Sequence, residues 1–87
     1  MKISLNEIIH AFDDLIREKK SREEIASWAL KLLLSNDESD LIYEPSSEEK
    51  KIWDAIKYLT GVDLKNSPKS YFHSIDDFIE FRKKLEQ

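Results

Sequence analysis

Three times in this chain a serine stands three residues ahead of a glutamate and just before an apolar run: Ser4-Leu5-Asn6-Glu7, Ser21-Arg22-Glu23-Glu24 and Ser46-Ser47-Glu48-Glu49. A fourth stretch, Ser74-Ile75-Asp76-Asp77, carries aspartate in the glutamate's place. Each reads as a capping box, where the serine hydroxyl accepts from the N3 amide and the N3 carboxylate reaches back. Four helix starts are thereby marked. After Ser4, residues Leu5, Ile8, Ile9, Phe12, Leu15 and Ile16 recur at three- and four-residue steps, which predicts a helix from about Leu5 to Lys19. After Ser21 come Ile25, Ala26, Trp28, Ala29, Leu30, Leu32, Leu33 and Leu34, apolar on more than one side and suited to a central helix. The short join at Lys19-Lys20 favours an antiparallel pairing of these two.

The third stripe is Ile52, Trp53, Ala55, Ile56 and Leu59, with Gly61 where a left-handed C′ residue belongs. The last is Phe78, Ile79, Phe81 and Leu85. Asn36 to Pro45 reads as a loop pinned by Leu41, Ile42 and Tyr43. Val62 to His73 reads as irregular, with Pro68 blocking a helix across it. The expected fold is therefore all-α: one domain over residues 1–87, a compact bundle of four main helices with an acidic loop between helices two and three. Its expected core is Ile8, Phe12, Leu15, Ile25, Trp28, Leu32, Ile52, Trp53, Ile56, Leu59, Phe78 and Phe81.

Composition removes several functions. A single glycine excludes a Gly-rich phosphate loop and a dinucleotide fingerprint. Without cysteine there is no disulfide, thiolate metal site or Cys nucleophile. The serines are accounted for as N-caps, and a chain of this size leaves little room for a pocket beside its core, so no enzyme is expected. His10 with Asp14, and His73 with Asp77, share helical spacing, but they lack a metal-ligand signature. The acids of both sets are explained by solvation and by the positive helix N-terminus. No metal or cofactor is expected. No apolar run is long enough for a membrane span, and a cytoplasmic location is the default expectation.

Charge is the informative feature. Asn36 to Glu49 contains Asp37, Glu38, Asp40, Glu44, Glu48 and Glu49 and no base, a local charge of −6. The other 12 acids and all 14 bases lie elsewhere and leave +2. Such a run either keeps a loop solvated or complements a basic partner. Tyr43, Tyr71 and Phe72 lie in irregular segments, where they serve as loop anchors or as the aromatic anchors of an interface. The expected partner-binding residues are Asp37, Glu38, Asp40, Tyr43, Glu44, Glu48 and Tyr71. A net charge of −4 disfavours direct nucleic-acid binding. A helix-turn-helix is also disfavoured, because Ile25 to Leu34 holds one lysine, Lys31.

Three strings carry a resemblance: Ser21-Arg22-Glu23-Glu24-Ile25-Ala26-Ser27-Trp28-Ala29, the run Ile52 to Leu64, and the run Ser67 to Phe78. Together they cover 34 of the 87 residues. They resemble small helical immunity proteins of bacterial polymorphic-toxin and contact-dependent growth inhibition systems. That resemblance implies a monomer that binds and neutralises a cognate toxin, a basic nuclease such as a ribonuclease or tRNase, and it carries over no catalytic residue. The alternative is a small regulatory or adaptor module that binds another cytoplasmic protein.

Overall fold

In a computed structural model the chain is described over residues 1–68 and 70–87. Its frame is four helices: α1 (Leu5–Ile16), α2 (Arg22–Asp37), α3 (Glu49–Leu59) and α4 (Ile75–Leu85). The capping boxes at Ser4, Ser21 and Ser74 are all formed, with each serine hydroxyl accepting from the N3 amide and each N3 carboxylate accepting from the cap amide. Ser46 behaves differently. A short 3-10 turn spans Ser46–Glu48, and α3 starts after it with no side-chain cap. This chain of helices is the compact, mostly helical four-helix bundle that the apolar stripes predict.

The expected acidic loop is more ordered than its composition suggests. α2 runs on to Asp37, and Ile42–Glu44 form a strand, β2, parallel to β1 (Lys2–Ser4). β1 leads directly into α1, so this pair ties the start of α1 to the segment that follows α2. A second pair, β3 (Lys65–Ser67) and β4 (Ser70–Tyr71), is antiparallel and occupies the stretch expected to be irregular.

Phe12, Phe78, Ile3, Ile8, Ile52, Ile56, Leu59 and Val62 are the largest fully buried side chains. Phe12 stacks on Phe81 with centroids 5.2 Å apart. Ile3, Tyr43 and Val62 are core residues that the helical stripes alone do not reveal. Trp28, Trp53 and Phe81, expected in the core, are only partly buried and pack against it.

α1 packs chiefly on α4, and α2 on α3. The expected antiparallel pairing of α1 with α2 is therefore not a principal packing of the bundle, since the two make only a minor contact. α2 is not fully enclosed either, since Leu30 and Leu34 are 48% and 51% exposed. Gly61 has no positive φ, whereas Glu18 and Ser39, just beyond α1 and α2, take φ of 57° and 60°. After α3 the chain keeps turning, with the Gly61 amide donating to the Tyr58 carbonyl and the Val62 amide to Leu59. That continued turn drives Val62 into the core, which a left-handed Gly61 would redirect.

Candidate functional site

The expected binding residues fall into two separate places. Tyr71 contacts Glu23 near the start of α2, through a hydrogen bond from its hydroxyl at 3.0 Å. Asp37 ends the same helix, which at the helical rise is about 21 Å further along. Tyr71 thus does not join the acidic cluster.

At the acidic end, Glu44 pairs with Lys2 at 3.4 Å and Glu48 with Lys51 at 3.1 Å. Among the described residues, Asp37, Glu38 and Asp40 make no ion pair and are exposed. Tyr43 lies beneath them as a core residue, 8% exposed, with its hydroxyl donating to Asn36 Oδ1 at 2.7 Å. Burial, and then the Glu49 carboxylate, raise its phenol above the ordinary value. As an aromatic anchor for a partner it is misplaced: alternation in β2 points it inward, between exposed Ile42 and Glu44.

The other end gathers bases from three segments. Lys19 and Lys20 come from the α1–α2 turn, Arg22 from the first turn of α2, and Lys65 from β3. The Arg22 guanidinium carbon stands 4.1 Å from the Tyr71 ring centroid, and the Lys65 ammonium 5.6 Å from it. A groove of about 310 Å³ beside Tyr71 is lined by Lys19, Lys20, Arg22, Glu18 and Glu23, among others. Arg22 is also structural. It donates to the carbonyls of Val62 and His73 and lies 4.8 Å over Phe78. The Glu23 hydrogen bond raises the Tyr71 phenol, because the acceptor favours the protonated form. Lys19, Lys65 and Lys84 have no ion-pair partner within 4 Å among the described residues.

Next to the hairpin lies an open cleft of about 410 Å³ walled by Tyr58, Phe72, His73 and Phe81 and edged by Asp77, Glu80 and Lys84. His73 Nδ1 is 3.7 Å from Asp77 Oδ2. Tyr58 has a sealed hydroxyl with no hydrogen-bond partner among the described residues. Burial chiefly, with the Asp77 charge adding and Arg22 opposing, pushes its phenol up to about 12.

His10 and Asp14 line a third groove, between α1 and α2, of about 360 Å³, with Glu7, Lys20, Glu24 and Trp28. Among the described residues no group of three or more His, Asp or Glu side chains could hold a metal ion. No helix among them is long and apolar enough to cross a membrane. The bases around Tyr71 escape a reading of the chain by segments because Lys65 lies far in sequence from Lys19, Lys20 and Arg22. The signal available was the cluster Arg17, Lys19 and Lys20, set against the acids of Asn36 to Glu49.

No solved structure matches the chain. A protein of Bacillus subtilis (strain 168), described as uncharacterised and called YxzC, is 31% identical over 80 residues, 92% of this chain and 60% of that protein. The chain thus spans about 60% of the length of the curated relative it matches. A family model described as "YxzC DNA-binding protein" matches residues 2–85. The description names a binding activity and no reaction, and the chain has neither a catalytic metal cluster among its described residues nor a cysteine. It also overturns the expectation that direct nucleic-acid binding is excluded. That expectation rested on net charge, which averages over an acidic end and a base-bearing end that the fold holds apart. With residues 2–85 of 87 matched, the chain belongs to the YxzC family.

Proposed function

We propose that the chain is a DNA-binding module whose nucleic-acid face is the end of the bundle around Tyr71. One observation carries this reading: in a member of a family described as DNA-binding, Arg22 and Lys65 from separate segments stand over one aromatic ring, and Lys19 and Lys20 line the groove beside it. Lys19 and Lys65 offer ammonium groups not engaged in ion pairs, and phosphate neutralisation supplies most non-specific affinity for DNA. Asp37, Glu38 and Asp40, at the far end of α2, repel the same polyanion and so orient the molecule. The footprint is small. Two or three phosphates neutralised give a log–log salt slope of about −2 to −3. A cytoplasmic location belongs with this reading.

The test is fluorescence anisotropy with labelled DNA over a salt series. The double variant Lys19→Glu, Lys65→Glu should weaken binding and flatten the slope by about 2. No binding by the wild type at low salt, or an unchanged slope in the variant, would count against the proposal.

A second reading is favoured by the acidic end. Asp37, Glu38 and Asp40 lie in the chain between Leu34 and Ile42, and all five are exposed. An immunity protein or a regulatory adaptor would use such a surface against a basic protein, and this is compatible with DNA contact elsewhere. Pull-down with the product of the neighbouring gene, repeated with the Asp37→Lys, Asp40→Lys, Glu44→Lys variant, tests it. Capture that ignores the variant would rule out this surface.

A further inference from the structure

The β3–β4 hairpin leaves its two largest apolar neighbours in solvent. Leu64 is 60% and Phe72 63% exposed. The backbone holds them side by side, with the Phe72 amide donating to the Leu64 carbonyl at 2.8 Å. Phe72 stands edge-on to His73, centroids 5.1 Å apart. His73 leans on Tyr58 at 4.7 Å, and Tyr58 on Phe81 at 4.3 Å. A row of rings therefore runs from the core to the surface, and its outermost member, Phe72, is uncovered.

We propose that the cleft walled by these rings takes an unstacked DNA base, laid against Phe72 and His73, with the strand's phosphate outside it on Lys84. The proposal rests on the DNA-binding reading and names the part of DNA that is held. Aromatic side chains accept any base by its π-face, so this mode needs no particular sequence. The cleft's charges decide which part of a nucleotide enters. Asp77 and Glu80 line it and would repel a phosphate, whereas a carboxylate accepts from the exocyclic amine of a base. Asp77 already accepts from the Ser74 amide at 2.9 Å, and Glu80 from Lys83 at 3.3 Å, but a carboxylate has lone pairs to spare. Lys84, at the cleft wall and without an ion-pair partner among the described residues, is placed for the backbone just outside. Base inward and phosphate outward is thus the only polarity that the lining charges favour, and a stacked duplex cannot present it.

The experiment is anisotropy on the whole chain with one labelled sequence in three forms: single-stranded, perfectly paired, and paired with one extra unpaired base. The single strand and the bulged duplex should bind about tenfold or more tighter than the perfect duplex. Phe72→Ala should abolish that advantage and Phe72→Trp should keep it. Because Phe72 is exposed, both variants should melt like the wild type. Equal affinity for all three forms, or a Phe72→Ala variant that keeps the preference, would overturn the proposal while leaving the DNA-binding reading intact. Failure of every form to bind at low salt would overturn both. Loss of the preference in Phe72→Trp as well as in Phe72→Ala would also overturn it, since stacking tolerates any large ring.

Discussion

Ile3 and Tyr43 face each other across the β1–β2 pair, 40 residues apart in sequence and both buried. Through this contact the strand ahead of α1 clamps the acidic segment to the bundle. Tyr43 adds a hydrogen bond from its hydroxyl to Asn36 Oδ1, back to the last turn of α2. Tyr43→Phe should therefore cost about 0.5–1.5 kcal/mol, the net worth of one hydrogen bond. Tyr43→Ala should cost about 3–5 kcal/mol, as for other buried rings. Urea unfolding of both variants checks this. An alanine variant as stable as the wild type would mean that the strand pair does not hold the segment down.

Arg22 is the second clamp, between helices and hairpin. Its guanidinium donates to two carbonyls, Val62 and His73, and lies between the rings of Tyr71 and Phe78. Hydrogen bonds from charged groups contribute about 1.5–3 kcal/mol, so Arg22→Ala should destabilise by at least that. Arg22→Lys should recover only part, because both carbonyls accept from the single Nη1 nitrogen, which an ammonium can imitate, whereas an ammonium has no planar face to lay against Tyr71 and Phe78. Hydrogen exchange provides a local readout. Phe72, whose amide donates to Leu64 within the clamped turn, should lose protection in both variants.

The helices were legible because their signals are local. A capping box needs four consecutive residues, and Ser4, Ser21 and Ser74 had them. Ser46 had the letters too, yet Pro45 precedes it in extended conformation and a 3-10 turn forms there instead. The strands were not legible. Three residues of β2 are too few to show alternation, and its partner lies 40 residues upstream. Trp28 and Trp53 share apolar stripes with true core residues, but they sit at the stripe edges, where the helix meets solvent. Phe12→Ala should accordingly cost about 3–5 kcal/mol, and Trp53→Ala clearly less, in the same thermal or urea unfolding measurement. Equal losses would place Trp53 in the core after all. The candidate site was legible only in part. Tyr71 could be singled out as an aromatic in an irregular segment, but its basic surroundings are assembled by tertiary structure.

α2 ends on the wrong charges for its dipole. Its first turn carries Glu23 and Glu24, as a positive N-terminus favours, but Asp37 and Glu38 sit at the negative C-terminus and its last turn has no base. Asp37→Lys and Glu38→Lys should each stabilise the protein, by about 0.3–1 kcal/mol at low ionic strength. The gain should shrink as salt is added. A melting temperature that falls in both variants would show that these acids make stabilising contacts. A rise would mean that the acids are kept at the expense of stability, as surface groups serving a partner are.

Tyr58 is the one buried hydroxyl among the described residues without a partner. Removing it should not cost a hydrogen bond. Tyr58→Phe is expected to be neutral or to stabilise by up to about 1–3 kcal/mol, the penalty of an unsatisfied buried polar group. The titration gives an independent sign. The folded phenol holds its proton up to about pH 12, whereas in the unfolded chain it ionises near the ordinary 10.0. Between those values the native state binds more protons than the unfolded state, so stability falls as pH rises. The fall should begin near pH 10 and be complete near pH 12, with Tyr43 and Tyr71, also raised, adding to it. Below pH 9 the term vanishes, because the phenol is protonated in both states. Tyr58→Phe should flatten the alkaline limb of the stability profile relative to the wild type, while lysine titration affects both proteins alike. Superimposable alkaline limbs would mean that the hydroxyl reaches water or a partner in solution. A limb that flattens while stability near neutral pH rises would identify the orphaned hydroxyl as a fault the fold tolerates beside the cleft it helps to wall.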